Sequence, residues 1–146
     1  MSQPPEQPSS RRQSQWVFWL CWVQGMYFFI TGVWPLVSIE TFQAVTGKKA
    51  DNAPTGLEAD HWLVNCVGVL VLAISLVFLL NAWRKRVSVD AAVLAIGSGL
   101  GLAAIDVIYV ARKVILPVYL ADAAAQAVLI ILWTVWLARS GDFQSP

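Results

Sequence analysis

Four stretches of about twenty mostly apolar residues, 16–36, 61–83, 91–110 and 120–137, constrain this chain more than anything else in it. At ~1.5 Å rise per residue, each crosses a hydrocarbon core of ~30 Å as a helix. A helix satisfies its own backbone hydrogen bonds in lipid, so four such stretches predict a helical membrane protein. Hydrophobic residues are 58% of the 146 and charged residues 13%, a composition foreign to soluble domains. The expected fold is all-α: an integral membrane antiparallel four-helix bundle in one domain, with no room for a soluble catalytic domain beside it. The formal charge of +1 gives no reason to expect nucleic acid as a partner; the expected partner is the bilayer.

Residues 1–15 form a polar tail rich in Pro, Gln and Ser that is expected to be disordered, and 139–146 form a second tail. The first apolar stretch exceeds the 7–15-residue core of a cleaved signal, so it reads as a permanent anchor. The basic residues set an orientation. Arg11, Arg12, Arg84, Lys85, Arg86 and Arg139 fall at one end of the bundle, against Lys48, Lys49, Arg112 and Lys113 at the other. The positive-inside rule then predicts cytoplasmic N- and C-termini. Trp16, Trp19, Trp83 and Trp136 lie at the inner interface under this assignment, Trp34 and Trp62 at the outer one.

Ser38 can cap a short helix with Glu40 in its first turn and Phe42 and Val45 on one face, which predicts an interfacial helix over 38–46. Residues 48–56 read as a loop, with 58–60 beginning the next helix. Cys21 and Cys66 sit near opposite ends of antiparallel spans, ~15 Å apart in depth by helical rise, which predicts two free buried thiols. Gly97 and Gly101 in the third span allow close helix approach, either inside the bundle or in a homo-oligomer.

The polar residues gather in the outer half. His61 and Asn65 open the second span, Asp106, Tyr109 and Lys113 close the third, and Asp122 and Gln126 open the fourth. Glu40 and Gln43 sit above them on the interfacial helix. An aspartate in a span costs up to ~3 kcal/mol and should face the bundle. Arg112, Lys113, Tyr109, His61 and Gln126 are its candidate partners. With His61 as the one histidine, no histidine-based metal site can be assembled, and no cofactor motif is present.

The strings Thr31-Gly32-Val33-Trp34-Pro35-Leu36, Phe42-Gln43-Ala44-Val45-Thr46-Gly47, His61-Trp62-Leu63-Val64, Ala104-Ile105-Asp106-Val107-Ile108-Tyr109 and Pro117-Val118-Tyr119-Leu120-Ala121-Asp122 can be taken together. They resemble a group of small bacterial four-span membrane proteins with no assigned activity. The resemblance covers most of the chain after residue 16 and implies a fold and a bacterial inner membrane, but no chemistry. The stretch 50–59 is longer than in that group. In layout alone the chain is similar to DoxX-like proteins and to the EXPERA sterol-isomerase and sterol-binding proteins, and no function is carried over from them.

Three functions are compatible with this pattern. The first is binding, or passing on, a small or lipophilic molecule in an outward-facing polar vestibule. Asp106, Tyr109, Asp122, Gln126, Asn65, His61 and Glu40 would line it, with Trp34 and Trp62 as apolar walls. The second is acid–base chemistry, such as isomerisation, on a lipid-soluble substrate, with Asp106 and either Glu40 or Asp122 as the carboxyl pair. The third is an accessory or oligomeric packing subunit without a ligand of its own.

Overall fold

The computed structural model describes residues 15–46 and 57–141. The N-terminal tail through Ser14, with Arg11 and Arg12, and the loop 47–56, with Lys48 and Lys49, lie outside the described residues, as does the chain after Gly141. Five helices follow in order: α1 (Gln15–Val37), α2 (Ile39–Thr46), α3 (Leu57–Trp83), α4 (Val89–Ala111) and α5 (Tyr119–Gly141). Among the described residues there is no strand. The four long helices are apolar and long enough to cross a membrane, and α2 is the short helix expected after Ser38. The chain is a four-helix membrane bundle.

The helices outrun the apolar stretches by a few residues, because capping groups and not hydropathy end them. Ser88 Oγ accepts from the Ala91 N–H at 3.2 Å and starts α4, with Asp90 in the first turn. Both α3 and α4 close with a lysine in the left-handed region, Lys85 at φ 49° and Lys113 at φ 57°. In the second case Lys113 N donates to Val110 O and Val114 N to Tyr109 O, the paired bonds of a Schellman cap. Pro35 does not end α1; the helix continues to Val37 and breaks at Ser38, whose hydroxyl accepts from the Thr41 N–H.

Two antiparallel pairs, α1 with α3 and α4 with α5, make up most of the packing. A Cβ added to Gly32 would stand 2.8 Å from Gly68 O and 2.9 Å from Leu72 N, so α1 and α3 meet backbone to backbone. Gly97 and Gly101 do not serve internal packing: a Cβ at either meets nothing within 4 Å. The glycine of α4 that faces its neighbour is Gly99, opposite Gln126 and Ile130. A two-residue offset, about 200° at ~100° per residue, turns Gly97 and Gly101 away from the seam that Gly99 occupies.

The apolar core lies at the end carrying the α3–α4 turn, here termed the basic end. Val17, Leu20, Cys21 and Phe28 of α1 meet Phe78 and Ala82 of α3, Ala92 and Ala95 of α4, and Leu129, Trp133 and Trp136 of α5. Phe28 stands edge-on to Phe78, Phe78 is tilted against Trp133, and Trp133 is perpendicular to Trp136. Trp136 therefore points inward, not to the interface as expected. Cys21 and Cys66 are free, the first buried and the second half-buried.

Candidate functional site

At the opposite end, which carries α2, the buried positions are small or polar. Asp106 is 9% exposed and Gln126 only 1%. The antiparallel register of α4 and α5 follows from Gly99 lying against Gln126 and Ile130. Seven residues along each helix, two turns and ~10 Å, bring Asp106 level with 119–123, the stretch that holds Asp122. Asp106 also keeps to the seam of Gly99, since seven residues return a helix to nearly the same face.

Asp122 is tied across the bundle. The Tyr27 hydroxyl, midway along α1, donates to its Oδ1. Gln126 lies one turn deeper on the same face of α5. Below this layer the Trp133 indole N–H donates to Gln24 Oε1, joining α5 to α1 a second time. These two links are the main polar ties between the α1–α3 and α4–α5 pairs.

Asp106 is tied to nothing. Its Oδ2 is sealed from solvent without a hydrogen-bond partner, and among the described residues no charged neighbour acts on it. The expected partners do not reach it: Arg112 and Lys113 are exposed at the end of α4, and Tyr109 is 42% exposed. Gln126 Oε1 is likewise sealed and unpartnered, facing the open side of Gly99. An unmet buried polar atom costs ~1–3 kcal/mol, so such atoms in one layer call for a physical reason.

The remaining sequence candidates divide. His61 and Asn65 lie on α3 two turns and one turn before Gly68, on the seam that Gly68 presents to Gly32, Pro35 and Leu36 of α1. They therefore lie near the α1–α2 junction, with His61 Nε2 and Asn65 Oδ1 unpartnered. Trp34 donates to Thr41 Oγ1 at 3.0 Å and stands edge-on to Phe42, so it fastens α2 to α1 rather than walling the cluster. Glu40 and Tyr109 are exposed, and Trp62 is 66% exposed. None of these three is buried with Asp106 and Gln126.

Sequence reasoning missed Tyr27. Its signal was its depth: a tyrosine far from either interface has a hydroxyl that needs a partner. Among the described residues, no group of three His, Cys, Asp or Glu could hold a metal ion. Compared with protein-family models, curated proteins and solved structures, the chain matches none of them.

Proposed function

We propose that this chain binds, and passes on, a small or lipophilic molecule in a polar recess at its α2 end, between α4 and α5 and beside Tyr27. The observation that carries this reading is the division of the interior. Apolar side chains fill most of the basic end, where Gln24 Nε2 is the unmet atom. At the α2 end Asp106 and Gln126, on one α4–α5 seam, each leave a buried acceptor oxygen unmet. In a fully packed helical scaffold those atoms would be paired or replaced by apolar ones. A ligand that supplies their partners removes the cost. Arg84, Lys85, Arg86 and Arg139 at the basic end support a cytoplasmic placement of that end, with the recess facing outward from a bacterial inner membrane.

Native mass spectrometry of gently extracted protein tests the proposal. Wild type should carry a co-purifying small molecule, and Asp106→Asn, which keeps shape and removes charge, should lose it while melting within a few degrees of wild type. Ligand-free wild type from several membrane preparations would defeat the reading.

A second reading is acid–base chemistry on a lipid-soluble substrate. It is favoured by two carboxyls at one level in different surroundings, Asp122 holding the Tyr27 hydroxyl and Asp106 holding nothing. Under it, Asp106→Asn and Asp122→Asn would each stop turnover of a β,γ-unsaturated lipid ketone while leaving its retention intact. The outward position of Gly97 and Gly101 suits the third reading, a homo-oligomeric packing subunit, tested by whether leucines there change the number of copies per micelle.

A further inference from the structure

We propose that the basic end carries a site for one anionic phospholipid, on the lipid-facing flank of the α1–α3 seam beside the α3–α4 turn. The site stands apart from the recess at the α2 end and does not depend on it.

Two tryptophans bracket this flank. Gly25 of α1 lies against Leu79 of α3, where an added Cβ would stand 2.8 Å from Leu79 Cδ2. Trp22 is three residues from that contact towards the basic end and Trp83 is four, so at ~1.5 Å per residue the two are level within ~2 Å. At ~100° per residue, Trp22 is turned ~60° from Gly25 and Trp83 ~40° from Leu79. In antiparallel helices these two turns lead to the same flank of the seam. The opposite turns lead to Gln24 and Phe28 on α1 and to Phe78 on α3, all buried in the core. Exposure agrees with the geometry: Trp22 is 42% exposed and Trp83 79%. One turn from the Gly25–Leu79 contact towards the α2 end, Phe29 and Leu76 continue the flank by the same offsets, and both are exposed.

The charge comes from the turn that follows Trp83. Arg84, Lys85 and Arg86 are all exposed. Lys85 N donates to Ala82 O and Arg86 N to Asn81 O, at 3.2 Å each, so a Schellman cap fixes the backbone that carries the three bases. Residues 84–90 set these bases against one acid, Asp90. Topology asks only for positive charge at this end, not for indoles and apolar side chains aligned beneath it. An anionic phospholipid uses all of them. Its phosphate takes charge-assisted hydrogen bonds from guanidinium groups, its glycerol region lies at the level of the indoles, and an acyl chain follows Phe29 and Leu76. A zwitterionic lipid brings its own cation against the bases, and a soluble acidic peptide leaves the apolar flank unused.

The probes are dioleoylphosphatidylglycerol, dioleoylphosphatidylcholine and glycerol 3-phosphate, each added to purified full-length protein in a neutral maltoside micelle. Retention is read by native mass spectrometry and by the shift in melting temperature. Wild type should hold one phosphatidylglycerol at least tenfold better than phosphatidylcholine and should ignore glycerol 3-phosphate. Arg84→Gln with Arg86→Gln should bring the two lipids level. Trp22→Leu with Trp83→Leu should weaken phosphatidylglycerol severalfold with the charges in place, and Arg112→Gln with Lys113→Gln, at the other end, should change nothing. Equal retention of both lipids by wild type overturns the proposal, as does a preference that survives the arginine pair. A preference lost equally with Arg112 and Lys113 assigns it to net charge and overturns the site. Protection by glycerol 3-phosphate as strong as by the lipid makes the occupant a free phosphate ester and overturns the lipid assignment. Should the arginine pair fail to fold, the tryptophan pair decides: phosphatidylglycerol held unchanged without the indoles overturns the proposal.

Discussion

Gln24 and Trp133 are both fully buried; the indole N–H donates to the amide oxygen, while Gln24 Nε2 stays unmet. Trp133→Phe keeps an aromatic ring against Phe78 but strands Gln24 Oε1. It should cost ~1–3 kcal/mol, read as an earlier midpoint in mixed-micelle unfolding. Adding Gln24→Leu should return part of that loss, because removing both partners leaves nothing unmet. If the single and double variants unfold alike, the hydrogen bond is not what Trp133 contributes. Much at this scale was legible beforehand. The arithmetic of 1.5 Å per residue placed Asp106 and Asp122 at one end of the bundle. Facing was not legible for Tyr109. Three residues make 300° of turn, leaving Tyr109 ~60° from Asp106, and α4 packs closely on one neighbour alone, so that offset is enough to turn the ring outward.

The long helices were readable as elements because lipid demands twenty apolar residues in a row, whereas their contacts depend on single glycines that hydropathy does not distinguish. Gly97 and Gly101 form a visible pair on one helix, yet the close approach is made by Gly32 and Gly68 on two. That contrast predicts opposite results from one kind of substitution. Gly32→Ala forces the α1 backbone away from Gly68 O and should destabilise the bundle by more than ~1 kcal/mol, with loss of the compact form in native electrophoresis. Gly97→Ala meets open space and should be neutral or stabilising by up to ~1 kcal/mol through helix propensity. Helix ends carry a similar lesson. A sequence reader looks for glycine at a left-handed cap, and here Lys85 and Lys113 occupy it. Lys113→Gly should raise the melting temperature by relieving that backbone strain, and an unchanged or lower value would mean that the lysine side chain offsets the strain through contacts of its own.

Across the whole molecule, side-chain chemistry changes from one end to the other, and access should follow it. The aromatic cluster of Phe28, Phe78, Trp133 and Trp136 packs the basic end, whereas the layer of Asp106, Asp122 and Gln126 is polar, so the proposed recess should admit water from the α2 end. Cysteine chemistry can read this directly, because the chain supplies its own internal control. Cys21 is buried among the apolar residues, and Ala123 is buried on α5 beside Asp122. In a Cys66→Ser background, Ala123→Cys should react with a charged methanethiosulfonate added outside intact spheroplasts, and Cys21 should not. Reaction of Ala123→Cys only after the cytoplasmic face is opened would reverse the orientation proposed from Arg84, Lys85 and Arg86 while keeping the recess. Silence at Ala123→Cys from both sides would mean that the α2 end is as dry as the core, and that the unmet atoms of Asp106 and Gln126 are sealed within a structural scaffold.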